Sequence, residues 1–242
     1  MNTIRRDLAA LATLLILIAG CTGQPAPSGS VASVAGSPGV VACNEGTRTT
    51  AGTYRLSAAD TFSVPATVTI ADGWHGCGLL AKEFGEPGGP AIIGFWSVEN
   101  VYANPCHWEG ALTDPPVGPT ADELVNALVE QEVTETSTPS ATTLGGDPAT
   151  YVSLRVPEEA DVADCDRVEI AEFRFWKEPG EERVGSAVWW IGAADAPGLI
   201  GEVWALDLDD TRAVVQAAYY ADALAAEVDE IHQIVESIIF EP

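Results

Sequence analysis

From Gly52 onward the chain is a succession of short runs rich in Val, Ile, Thr and aromatic residues, broken by Gly, Pro and Asp, and its spacing turns helical only twice. Runs of this kind read as strands joined by tight turns. They predict strands over 52–56, 66–70, 78–84, 149–156, 170–177 and 186–191, with 91–101 as one long strand buried on both faces. Asp209-Asp210-Thr211 between 202–208 and 212–218 predicts a hairpin turn. The polar stretch 134–143 reads as a loop. The first helix is announced by Thr120-Ala121-Asp122-Glu123, a capping box in which each of the two side chains satisfies the other's amide. Leu124, Val125, Leu128 and Val129 then share a face, and the helix is expected to end near Gln131. A second helix is expected over 223–238, where Leu224, Val228, Ile231, Val235 and Ile238 form one stripe. Many antiparallel strands and two one-faced helices predict an α+β sandwich. A length of 242 residues gives such a fold ample core.

The first twenty-odd residues stand outside that pattern. Arg5 and Arg6 precede an apolar run from Leu8 to Ala19 interrupted only by Thr13. At about twelve residues the run is too short for a spanning helix, which needs about 20. A cationic start, a short apolar run and small residues after it predict a signal peptide over 1–20. Next, 21–42 is Pro-, Ala-, Ser- and Gly-rich and uncharged, so it cannot offset its own ordering entropy and is expected to be a flexible tether. A single extracytoplasmic domain over 43–242 follows, with no composition break or repeat within it.

Leu17-Ile18-Ala19-Gly20-Cys21 resembles the lipobox of bacterial lipoproteins. That resemblance implies cleavage before Cys21, a lipid on its sulfur, and a protein anchored on the extracytoplasmic face of a bacterial cell membrane. Eleven Lys and Arg against 36 Asp and Glu, a formal charge of −25, exclude a protein that grips nucleic acid or an anionic membrane surface through a basic face. The lipid would then be its sole membrane contact.

Export bears on the cysteines. Setting Cys21 aside leaves Cys43, Cys77, Cys106 and Cys165, an even number for an oxidising compartment. Three pairings are open; the favoured one joins Cys43 to Cys77 and Cys106 to Cys165. The stretch from Phe62-Ser63-Val64 to Asp72-Gly73-Trp74, and the closing hairpin and helix ending Val235-Glu236-Ser237-Ile238, resemble PsbP/Mog1-like domains. That resemblance implies a curved antiparallel sheet with two main helices packed on it, and a role in binding or assembly rather than catalysis. Tyr102-Ala103-Asn104-Pro105-Cys106-His107-Trp108 resembles a segment of uncharacterised bacterial secreted proteins, and carries no activity with it.

No Gly-x-Ser-x-Gly elbow is present, and paired cysteines leave no thiol nucleophile. Trp74 and His75 beside Cys77, and His107 and Trp108 beside Cys106, are the ligand-binding candidates. A zinc set of His75, Cys77, Cys106 and His107 is disfavoured because Cys106 and His107 are adjacent, and no metal or cofactor is expected. His232 is read as a solvated partner of Asp229 and Glu236 on its own helix. The acidic stretch 207–210 lacks the order of a calcium loop, and 158–166 is read as solvated loop charge in preference to a calcium site. Trp96, Trp176, Trp190 and Trp204 are expected in the core. The favoured function is a non-catalytic domain that binds a protein or small-molecule partner. The alternative is a cell-envelope hydrolase or metal enzyme using His75, His107 and loop carboxylates.

Overall fold

A computed structural model of the chain describes residues 50–56, 64–76, 79–167, 173–179, 197–209 and 211–241, with the backbone of 39–40. The described residues all belong to one compact unit, Gly36–Pro242. The predicted signal peptide, Cys21, most of the tether, the Cys43–Cys77 pairing, the predicted strand 186–191 and Trp190 lie outside them. No described helix is long and apolar enough to cross a membrane.

In chain order the elements are β1 (Gly39–Val40), β2 (Gly52–Leu56), β3 (Ala66–Ile70), β4 (Leu79–Glu83), β5 (Pro90–Trp96), β6 (Asn100–Val101), α1 (Ala121–Val129), β7 (Glu135–Thr136), β8 (Ser140–Leu144), β9 (Asp147–Arg155), β10 (Trp176–Lys177), β11 (Leu199–Leu208), β12 (Thr211–Tyr220), α2 (Ala225–Glu236) and β13 (Ile239–Phe240). The fold is mixed α+β. An open, seven-stranded antiparallel sheet runs β4-β5-β12-β11-β9-β7, with β8 also paired to β9. A smaller sheet, β1-β2-β3-β13, and a two-stranded ribbon of β6 and β10 complete it.

Strand alternation splits the large sheet's side chains between two cores. Ile92, Trp96, Val152, Leu154, Val203, Ala205 and Val214 face α1 and pack on its Leu124, Val125 and Leu128. Ile93, Phe95, Leu206, Val215 and Ala217 face the other way, toward Ile231, Ile234 and Val235 of α2 and Val68 and Ile70 of β3. The central strands are therefore apolar on both sides, which is why β5 is buried from Ala91 to Trp96.

At the start of each helix a glutamate carboxylate accepts from the amide of the capping residue. The Thr120 hydroxyl accepts from the Glu123 amide, and the Glu123 carboxylate accepts from the Thr120 amide. The Thr120 amide and hydroxyl, both donating to it, hold the Glu123 carboxyl below its ordinary range. At α2 the Glu227 carboxylate accepts from the Leu224 amide. The hairpin of β11 and β12 pairs Leu208 with Thr211 and turns at Asp209, which takes the left-handed conformation with φ 51°.

Four expectations need correction. Of the predicted strand 170–177, the described residues hold a strand only at Trp176–Lys177, and 173–175 are outside it. The run 91–101 is not one strand: β5 stops at Trp96, and Asn100–Val101 pairs with β10 instead. Asn100 explains the break, since its buried carbonyl oxygen accepts from Val101, Val117 and Thr113 and so gathers the 110–117 loop onto it. Arg212 fastens the other side by donating to the Val98 and Gly118 carbonyls. The stretch 134–143 holds β7 and most of β8 rather than a loop, because sheet edges tolerate polar, exposed residues that carry no periodic apolar signal. A short closing strand, β13, also lies beyond the predicted end of the last helix and pairs with β3.

Candidate functional site

Along β11, every second residue from Ile200 to Leu208 points toward the α2 side, and one of them, Glu202, is charged and buried. Its neighbour across the sheet on β9 is Ser153, flanked by Tyr151, which itself faces Trp204. Helix α2 lies over this part of the sheet. The helical repeat that buries Ile231 and Val235 sets His232 beside Glu202.

The Glu202 carboxylate is held on both oxygens. Oε1 accepts from the Tyr151 hydroxyl at 2.7 Å, and Oε2 lies 2.6 Å from Nε2 of His232. Burial first, and then Glu202 through its hydrogen bonding and its charge, push the hydroxyls of Tyr151 and Tyr219 above the ordinary tyrosine range. Both phenols stay neutral donors around one carboxylate. The Glu202 side chain is 9% exposed and that of His232 is 37% exposed, so the dyad runs from the interior out to solvent.

Above it opens a cleft of about 310 Å³ lined by Thr142, Thr143, Tyr151, Trp204, His232 and Glu236, among others. Trp204 is half-buried and meets Tyr151 with ring centroids 5.3 Å apart. One wall is thus aromatic. The rim carries two threonine hydroxyls, an imidazole and a carboxylate. A larger groove of about 570 Å³ lies at the far end of the sheet, lined by Asp147, Asp207, Asp209 and Glu241. Two of its carboxylates have structural duties: Asp207 accepts from the Ala121 amide at the start of α1, and Glu241 takes Arg55 and Thr67.

The residues singled out in the sequence fall elsewhere. Trp74 is fully buried and donates its indole N–H to Glu230 of α2 at 2.8 Å, while Lys82 donates to the same oxygen at 2.5 Å. Trp108 is buried beneath the Arg174 guanidinium, 4.3 Å from its ring, and beside Tyr102. Neither indole offers a face to a cleft. His75 is half-buried and exchanges backbone hydrogen bonds with Ala81. His107 is 59% exposed, with Nδ1 3.5 Å from Asp166. Trp74 belongs to the core on the α2 side and Cys106 packs against the core on the α1 side, so the two Trp-His segments are kept on opposite faces of the sheet. They are not brought together.

Cys106 and Cys165 are bonded, joining the two loops on the α1 side as expected. Within 158–166, Asp161 accepts from the Ala163 amide and Asp166 from the Glu109 amide. Among the described residues, no group of three or more His, Cys, Asp or Glu is placed to hold a metal ion. His232 departs from its expectation: the partner is Glu202 on β11, not Asp229 or Glu236 on its own helix. Trp204 packs against the α2-side core as expected, but it is half-buried and lines the cleft as well. For the Glu202–His232 pair a signal was present. Glu202 is the lone acid between Leu199 and Leu206, and a charge among core positions asks for a buried partner. No protein-family model matches the chain, and no curated protein matches it.

Proposed function

We propose that this protein is a non-catalytic binding domain, held at the outer face of the cell membrane by a lipid on Cys21, whose ligand is a neutral, hydroxyl-rich ring of the saccharide type. The observation that carries the reading is the half-buried Trp204, which walls a cleft whose floor is fixed by Glu202, Tyr151 and His232. An aromatic face beside a rim of hydroxyl, imidazole and carboxylate groups suits a molecule with an apolar ring face and a polar edge. Glu202, Glu236 and a net charge of −25 disfavour anions. About 310 Å³ is at the lower end for ligand sites, room for about one or two sugar rings. The PsbP/Mog1-like resemblance, which implies binding rather than catalysis, agrees with this reading.

A thermal-shift screen of the full mature protein against neutral mono- and disaccharides tests it. A ligand that binds only the folded state raises the midpoint by mass action. The rise is expected with at least one sugar and is expected to vanish in Trp204→Ala. A midpoint indifferent to all sugars, or a rise that persists in Trp204→Ala, overturns the reading. The anchor is tested separately: the mass of the protein from its native cell should correspond to a chain starting at an acylated Cys21.

A further inference from the structure

On the α1 side of the large sheet, the middle of β12 carries a side chain out of keeping with its surroundings. Gln216 follows Val214 and Val215, precedes Ala217 and Ala218, and is fully buried. Both polar atoms of its amide, Nε2 and Oε1, lack a hydrogen-bond partner among the described residues. The indole nitrogens of Trp96 and Trp176 are likewise buried and without a partner there. A lone lapse of this kind is tolerable; several together in one apolar core are not, because a polar group stripped of water must regain a partner.

The backbone groups these atoms. Gln216 pairs across the sheet with Gly94 on β5, and Trp96 folds its indole back over Gly94, where a Cβ would lie 2.5 Å from Nε1. On the other flank is Gly201 of β11, where a Cβ would come 3.3 Å from Gln216 Nε2. Gly94 is the direct neighbour of Gln216 on β5 and Gly201 a diagonal one on β11, where Val203 is opposite; the Trp96 indole lies over the first glycine and the Gln216 amide over the second. The Trp176 ring lies 6.3 Å from that of Trp96, at 60°. Glycine in a strand interior weakens it unless something must approach closely.

We infer that Gln216, Trp96 and Trp176 line an internal site for a small neutral molecule that presents a hydroxyl or water oxygen. Indole N–H groups only donate, and so require an acceptor oxygen; the Gln216 carbonyl only accepts, and so requires an O–H. Water meets both needs, and so does a small alcohol. The three side chains are uncharged and cannot compensate the desolvation of an ion. This site is on the opposite face of the sheet from the Glu202 cleft and independent of it.

A crystal structure of the mature protein, at a resolution that shows ordered water, tests the site together with Gln216→Met, which keeps the side chain's length. Density is expected within hydrogen-bond distance of the Gln216 amide and of at least one of the two indole nitrogens. A compact isolated peak identifies water; continuous density identifies an organic hydroxyl compound. In Gln216→Met that density should disappear and the thermal midpoint should fall. An interior with no density beside Gln216 overturns the inference whatever the variant does, and a raised midpoint in Gln216→Met, which marks a dry unpaired amide, contradicts it too. If the variant fails to fold, the wild type still decides through the Nε1–H resonances of Trp96 and Trp176. A cross-peak from either to long-lived bound water or to a co-purified hydroxyl compound supports the site, and its absence from both counts against it.

Discussion

His232 on α2 sets its Nε2 2.6 Å from Oε2 of Glu202 on β11, so a helix and the central sheet meet through a buried carboxylate rather than through apolar contact alone. Removing the acid leaves His232 and Tyr151 facing an empty position. Glu202→Gln keeps the volume and loses the charge-assisted bonds, and should cost about 1–3 kcal/mol. Glu202→Ala should cost about 3–5 kcal/mol. Urea denaturation followed by circular dichroism checks both.

Tyr151 and Tyr219 make the fold sensitive to alkali. Burial and Glu202 raise both hydroxyls above the unfolded value of about 10. A group whose folded value is raised contributes its stability in full below the unfolded value and loses it as pH climbs toward the folded one. Stability should therefore hold up to about pH 10 and decline above it. Absorbance at 295 nm should show two tyrosines ionising only as the protein unfolds, and Tyr151→Phe with Tyr219→Phe should flatten the decline.

The Trp74 indole anchors the middle of α2, through Glu230, to a sheet that Lys82 also reaches. Trp74→Ala should cost about 3–5 kcal/mol by opening a cavity. Trp74→Phe, with Lys82 still on Glu230, should cost only about 1–2 kcal/mol. The difference in unfolding free energy between the two variants separates packing from the hydrogen bond.

Reduction bears on the α1 side. The Cys106–Cys165 bridge closes a loop of sequence separation 59, and losing it should cost about 2–5 kcal/mol. Cys106→Ser with Cys165→Ser should lower the thermal midpoint in non-reducing buffer.

Local chemistry made much of this fold legible from the residues alone. The capping box at Thr120 and Glu123, the Asp209 turn and the stripe of Ile231 and Val235 each act within a few neighbours, and each falls where its pattern puts it. The Asn100 break was hidden because the bonds that cause it reach to Thr113 and Val117. The edge strands β7 and β8 carry too little apolar periodicity to announce themselves. The cleft was the least legible part. Glu202 lies 30 residues before His232 and 51 after Tyr151, and only sheet register and helix docking bring the three together. Trp74 and Trp108 drew notice through their Gly- and Pro-rich settings, yet those turns are what fold the indoles inward.

The proposed ligand cleft has one direct reporter. In a ¹H–¹⁵N spectrum the indole N–H of Trp204, assigned through Trp204→Phe, can be followed while a neutral disaccharide is added to the mature protein. The account predicts a saturable shift of the Trp204 signal, with those of the buried Trp74, Trp108 and Trp176 unmoved. Indole signals that all stay still across the saccharides tried, or a shift at Trp74 or Trp108 in place of Trp204, would contradict it.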